Sequence, residues 1–197
     1  VWTLRFRVWT SWLIVTATFV TSPPAKSVKK RPRIIKNAVP WGCTTSSLYA
    51  VAINSPQSNI YTVNIPPDEI LSGKGGKFTT VVLSKNEIGS AYKNKSIKNI
   101  KQLYVNTATW EPNIGNIDVA FIDGCHDTKF VYNDTRKILK HMKEGGFILW
   151  HDFNPNLAAK YDWIFSVCYG IEKLLENGII KGRIFHIRDS WVGIYKF

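Results

Sequence analysis

Two short stretches in the second half of the chain carry residues whose types and spacing can do chemistry. Asp123 is followed three residues later by His126, and His151 and Asp152 are adjacent. Carboxylates that converge from two segments can hold a hard divalent cation, and an ion so held can bind and acidify a hydroxyl. His151 or Asn154 can complete the shell. His126 is the candidate general base, because imidazole titrates near the working pH range. Each residue also has a plainer role. Asp123 can accept backbone N–H bonds after a strand, His126 can cap a helix beside Asp127, and His151 can simply be packed. Cys125 stands between Asp123 and His126, but no second soft ligand is near it in sequence. His141 and His186 fall on a predicted helix and strand and read as structural. Gly73-Lys74-Gly75-Gly76-Lys77 looks like a phosphate loop, yet it lacks the Gly-Lys-Ser/Thr ending and a long following helix, so it reads as a flexible loop.

These residues need strands to carry them. Ile117 to Asp123 is the strongest strand signal, and the apolar run Phe147 to Trp150 reads as a strand buried on both faces. Between them Val131 to Met142 is an amphipathic helix, with Val131, Ile138, Leu139 and Met142 inward and Arg136, Lys137, Lys140 and Lys143 outward. The Gly145-Gly146 pair reads as its stop. Upstream, Ile34 to Trp41 is a poor first strand and Ser46 to Asn54 has helical spacing. Ile60 to Ile65 is a short strand halted by Pro66-Pro67. Residues 66 to 78 read as a loop, Thr79 to Leu83 as a short strand, and Asn86 to Asn94 as a helical turn or two. Ile100 to Val105 is the next strand. Tyr161 to Asn177 is a second long helix closed by Gly178. Arg183 to Ile187 and Trp191 to Phe197 form a hairpin about the turn Arg188-Asp189-Ser190. This alternation implies an α/β fold with a mostly parallel sheet and helices on both faces. Ligands then bind at the carboxyl ends of the strands.

The chain has 197 residues, 45% hydrophobic, with a net charge of +12. That is about one domain, and too apolar for a disordered chain. Residues 1 to 67 hold eight of the 26 Lys and Arg and none of the 14 Asp and Glu, so the remainder is close to balanced. A nucleic-acid enzyme would show a basic face with interleaved aromatics in its folded part, and none is visible. The three cysteines, Cys43, Cys125 and Cys168, cannot all pair and form no CxxC, which argues against a zinc knuckle and for a reducing, cytoplasmic setting. Residues 1–33 read as a basic and apolar arm with a linker, and 34–197 as the domain. The arm has three readings: a signal or anchor, a segment touching an anionic membrane surface, or an element packing on the domain. The last fits an intracellular enzyme best. Self-association is left open.

The segment Ile117 to His126, IDVAFIDGCH, resembles the DxxFIDGxH stretch of class I S-adenosylmethionine-dependent methyltransferases. The nearest branch is the small-molecule O-methyltransferases related to sugar- and catechol-methylating enzymes. Gly145 to Asp152 follows at the distance of that branch's GGxxxxHD. Ile60-Tyr61-Thr62-Val63 is similar to its second strand, and the closing hairpin to its reversed last strand. The resemblance covers roughly Ile34 to Phe197. It implies a Rossmann-like, doubly wound, mostly parallel sheet with a C-terminal antiparallel hairpin strand. It implies transfer of a methyl group from S-adenosylmethionine to a hydroxyl of a small molecule or sugar, assisted by a divalent cation such as magnesium. Methyl transfer from a sulfonium needs little beyond alignment and a deprotonated nucleophile. The catalytic residues implied are His126 and Asp123, and the metal ligands Asp123, Asp152 and His151. The cofactor contacts implied are Gly42, Thr44, Thr45, Ser46, Asn64, Thr107 and Asp123. Trp110 and Tyr92 can stack on the adenine or fill the core edge.

Two positions depart from the family pattern. Pro40 to Ser47, PWGCTTSS, replaces the glycine-rich first loop with a single glycine and no leading Glu, so side chains crowd a turn that the backbone must bring close to the cofactor. Asn64 stands where an acidic residue would grip the ribose, and the charge-assisted bond is lost. Both support the alternative reading, a non-catalytic methyltransferase-fold binding module. A dehydrogenase is excluded by the absence of GxGxxG after strand one. A nucleic-acid amino-methyltransferase is expected, by resemblance, to carry an Asn/Asp-Pro-Pro-aromatic run where Ile122-Asp123-Gly124 stands.

Overall fold

The computed structural model describes residues 18–21, 45–74, 76–77 and 84–197. Along the chain these form β1 (Thr18–Thr21), α1 (Thr45–Asn54), β2 (Asn59–Asn64), α2 (Pro67–Leu71), α3 (Ser90–Lys93), β3 (Ile100–Tyr104) and β4 (Ile117–Ile122). They continue as α4 (Thr128–Leu139), β5 (Met142–Trp150), α5 (Asp162–Glu176), β6 (Phe185–His186) and β7 (Gly193–Lys196). The strands join in one sheet of order β3-β2-β1-β4-β5-β7-β6.

The sheet is mixed rather than mostly parallel. Only β2–β3 and β4–β5 pair in parallel; β1 runs against both β2 and β4, β7 against β5, and β6 against β7. The difference arises mainly at the centre. The expected first strand, Ile34 to Trp41, lies outside the described residues, as does Thr79 to Leu83. The central place is taken by Thr18–Thr21, from within the segment read as an arm, and it fills the gap in the opposite direction. Strand order still reverses between β1 and β4, so the carboxyl end of β4, with that of its parallel neighbour β5 beside it, lies next to a switch point, the place where ligands bind in open parallel α/β sheets.

Helices cover both faces. Ile60 and Val63 lie three residues apart on β2 and so point to opposite sides. Val63 joins the main core with Ala120, Ile122, Ile148 and Trp150 from the strands, Val131 and Ile138 from α4, and Val167, Ile171 and Leu174 from α5. Ile60 packs on the other side with Leu48 and Ala52 of α1 and Tyr92 of α3. Among the described residues no helix is long and apolar enough to cross a membrane.

Three local expectations are corrected. The sequence predicts a loop after β2, but Pro67–Leu71 forms α2, because proline is well placed in a first helical turn and Asp68 and Glu69 suit the helix dipole there. Helix α4 starts earlier and ends earlier than its apolar spacing implies. Its expected stop, Gly145-Gly146, lies inside β5 at a break in the β4–β5 register. Gly145 adopts φ 78°, and a Cβ on Gly146 would come within 2.9 Å of the Asp118 carbonyl. Lys137, expected on the solvent face of α4, is buried.

Candidate functional site

The strongest strand, β4, ends at Ile122 and delivers Asp123 into the loop before α4. Strand β5 ends at Trp150 and delivers His151 and Asp152. The His151 N–H donates to the Ile122 carbonyl at 3.0 Å, which ties the two strand ends together. Asp152 then takes a left-handed backbone, φ 54°, a conformation rare for residues other than glycine. Held strain of this kind is common where function fixes a side chain's direction.

These turns bring four side chains together. His126 Nε2 lies 3.0 Å from Asp152 Oδ2 and 3.6 Å from Asp123 Oδ1. His151 Nδ1 lies 2.9 Å from Asp152 Oδ2 and 3.5 Å from Asp123 Oδ1. Ligand atoms of Asp123, His126 and Asp152 all fall within 4.8 Å of one another. Asp123 Oδ2 and both ring nitrogens of His126 are buried with no hydrogen-bond partner, so the 3.0 Å contact is close but poorly aligned. Orphaned buried polar atoms are costly. Two carboxylates and an imidazole that has given up its proton are a donor set that can hold a divalent cation.

The electrostatics follow from the crowding. Burial alone would lower both imidazoles, but the carboxylates beside them outweigh it. His126 and His151 are each raised from 6.5 to about 9. Burial would raise Asp152, but contact with the two imidazoles holds it well below the usual carboxylate range. Without a cation the pair of carboxylates is therefore neutralised by two imidazolium groups at pH 7. A divalent ion must displace those protons. Its affinity is expected to rise with pH up to about 9, with proton release on binding. Titration calorimetry with magnesium or manganese, in buffers of different ionisation enthalpy, reads this directly. Pair stabilisation in the cation-free fold follows the same shifts. The histidine part is complete below pH 6.5 and is lost as pH rises through about 9, while the Asp152 part is lost on acidification.

The cofactor positions divide differently. Gly42 and Thr44 lie outside the described residues. Thr45 and Ser46 form the first turn of α1. Asn64 is buried at the end of β2, where its Oδ1 accepts a hydrogen bond from Gln102 Nε2 at 3.0 Å. Thr107 follows β3, and its carbonyl accepts from Asn133 and Lys137. Asn64, Asn106 and Asp123 are thus buried polar groups at the carboxyl ends of three strands, which fits a polar ligand across that edge. Tyr92 fills the core, its hydroxyl donating to Gln102 at 2.6 Å and pushed up to about 12 by burial. Trp110 packs against the main core. His126 does not cap α4: Asp127 is the N-cap residue, and the Thr128 N–H is satisfied by Ser166 Oγ at 2.8 Å.

Three supporting residues are not evident from sequence reasoning. Glu69 of α2 accepts from Asn106 Nδ2 at 2.9 Å, placing a carboxylate beside the loop after β3. Lys137 Nζ donates to the carbonyls of Thr107 at 2.8 Å and Trp110 at 2.5 Å. Asp134 is buried on the same helix near Gly124, with Oδ1 lacking a partner and its carboxyl raised to about 7 by burial. Helix α4 thus props the loops after β3 and β4 together. A signal was present: Val131, Asp134, Thr135 and Ile138 share one buried face of α4, and two of the four are polar. Lys137→Met is expected to leave the Trp110 carbonyl without its lysine donor and the Thr107 carbonyl with Asn133 alone, at about 1–3 kcal/mol for a group left unsatisfied. Thermal denaturation would show the loss as a lower Tm.

No curated protein matches the chain. Among solved structures, that of the O-methyltransferase NovP matches with a TM-score of 0.44 and 12% identity, covering 58% of this chain and 45% of the other. The methyltransferase domain family matches residues 42–153, which contain α1 through β5 and all four residues of the cluster. With more than half of its length matched, the chain belongs to the methyltransferase domain family.

Proposed function

We propose that this domain transfers the methyl group of S-adenosylmethionine to a hydroxyl of a small molecule or sugar, with a divalent cation, magnesium by preference, at the end of β4 and β5. The observation that carries this is the convergence of Asp123, His126, His151 and Asp152 within a segment matched by the methyltransferase domain family. It takes the fold as a Rossmann-like, doubly wound variant with a C-terminal antiparallel hairpin strand, and the setting as cytoplasmic.

When bound, the cofactor supplies an activated methyl on a sulfonium and the cation supplies charge that acidifies the acceptor hydroxyl. Asp123, Asp152 and His151 would hold the cation. Thr45 and Ser46 at the start of α1, with Asn64, Thr107 and Asp123 along the strand ends, would hold the cofactor, together with Gly42 and Thr44. His126 takes the acceptor's proton at Nε2. It is competent to do so only when the charges of Asp123 and Asp152 are neutralised by something other than its own proton, because those charges raise it to about 9. Either imidazole has the reach to be the third ligand, and two variants separate the roles. His126→Ala is expected to keep cation affinity and lose rate; His151→Ala is expected to lose both.

The deciding experiment is titration calorimetry with S-adenosylmethionine, with and without magnesium. Micromolar binding supports the enzyme. No binding at millimolar cofactor in a folded sample favours the alternative, a non-catalytic binding module. That alternative has its own support in Asn64, an amide already engaged by Gln102.

A further inference from the structure

We propose that the surface around β3, at one edge of the sheet, binds single-stranded nucleic acid, its lysines taking the phosphates and its tyrosines the bases. The inference goes beyond the methyltransferase reading and does not depend on it. Charge after residue 67 is unevenly placed. Between Lys85 and Lys101 stand five Lys and one acid, Glu87. From residue 102 to the end, eleven Lys and Arg are matched by eleven Asp and Glu, and residues 68 to 84 hold two of each sign. The whole positive excess of residues 68–197 therefore sits on α3, β3 and the turns beside them. All five lysines are exposed, and none is ion-paired with a described residue.

Three of these lysines lie over tyrosine rings. Lys95 Nζ is 3.8 Å from the ring centre of Tyr49 on α1, Lys101 Nζ 5.4 Å from that of Tyr61 on β2, and Lys85 Nζ 5.9 Å from that of Tyr104 on β3. Lys93 ties one pair together, its Nζ donating to the Lys85 carbonyl and, at 3.3 Å, to the Tyr104 hydroxyl. The three rings are half-buried, Tyr49 and Tyr61 against the core clusters, so the fold holds them while the lysines stand in solvent. A basic face with interleaved aromatics thus exists. No stretch of sequence displays it, because its tyrosines come from α1, β2 and β3, which only the fold brings together.

The arrangement selects the partner. Lysines on an edge strand guard it against pairing with other chains, but only Lys101 of the five lies on β3. Lys101 is in register with Tyr61, which packs toward the main core. Tyr104 is on the other side of the strand, the side of Ile100, which packs with α1 and Tyr92. The charge therefore wraps round the sheet edge instead of lying in one plane. A flat anionic bilayer reaches one side of it, and a flexible strand reaches both. An exposed Lys–Tyr pair is a weak interaction. A phosphate can draw the ammonium aside and leave the ring face to a base, and such stacking tolerates any sequence. An acidic peptide or a sulfated sugar would engage the lysines and leave the rings unused.

Fluorescence anisotropy on the full chain tests this, with a labelled oligouridylate of about twelve nucleotides, within the range of single-strand sites. Neutralising the three lysines over the rings together, Lys85→Gln, Lys95→Gln and Lys101→Gln, is expected to reduce the slope of log affinity against log salt by about two, at about 0.7 per phosphate contact. Removing equal charge elsewhere, in Lys140→Gln, Lys160→Gln and Lys196→Gln, should leave the slope nearly unchanged. Tyr104→Leu keeps the apolar bulk and every charge, and is expected to weaken binding about ten-fold at the same slope. Tyr49→Leu repeats that test on α1 if circular dichroism shows the first variant unfolded. No binding by the unaltered chain, an equal fall in slope in the two lysine sets, no fall in the first set, or full binding by a folded tyrosine variant would overturn the proposal. So would binding to phosphatidylserine vesicles or dextran sulfate as tight as to the oligonucleotide, since neither offers a base.

Discussion

Asp152→Asn is expected to abolish cation dependence and cut methyl transfer about a thousand-fold. The variant is a clean test because asparagine tolerates the left-handed backbone that Asp152 adopts, φ 54°, better than other substitutes except glycine. The fold is retained while one of the two charges in the cluster is removed. A bound metal contributes several kcal/mol of transition-state stabilisation, and each 1.4 kcal/mol is about ten-fold in rate. Asp123→Asn should behave alike, since Asp123 is equally buried and faces the same two imidazoles. A second readout needs no activity. With one carboxylate gone, His126 and His151 should fall from about 9 toward 6.5, which NMR titration of the imidazole protons reports. Methyl transfer and metal dependence unchanged in both variants would remove the cation site from the mechanism.

Trp150→Ala is expected to cost about 3–5 kcal/mol of stability, the usual range for truncating a large buried aromatic. Trp150 is fully buried at the end of β5, the residue before His151. Its indole N–H donates to Thr135 Oγ1 at 2.9 Å, and that hydroxyl donates to the Val131 carbonyl at 2.7 Å. The substitution opens a cavity in the main core and cuts a buried link from β5 to α4. Trp150→Phe should cost less, because it keeps most of the volume and loses the hydrogen bond. Urea unfolding of the three proteins measures both differences. Because Trp150 precedes His151, a milder variant that still folds should also weaken cation binding.

The cluster was legible because each part of it sits at the end of a strong strand signal. IDVAFID and FILW are dense enough in apolar residues to specify β4 and β5, and parallel neighbours bring Asp123 and Asp152 together. Other features were hidden. In the sequence Pro67 reads as a stop, yet at the start of a helix proline is a good residue. Gly145-Gly146 reads as a helix end, yet the glycines serve a break in the ladder that only the neighbouring strand creates. Charge alone places Lys137 on the outer face of α4. It is buried because the carbonyls of Thr107 and Trp110, thirty and twenty-seven residues away, replace its water.

By itself the sequence determined the α/β class, the pair of strands that carry Asp123 and Asp152, and which histidines and carboxylates stand at their ends. These depend on local patterns of apolar residues and on residue type. Only the tertiary structure decided that both His126 and His151 face both carboxylates. It alone placed Thr18–Thr21 in the centre of the sheet. Those outcomes depend on contacts between residues far apart in the chain, where direction, register and burial are settled by what happens to lie opposite.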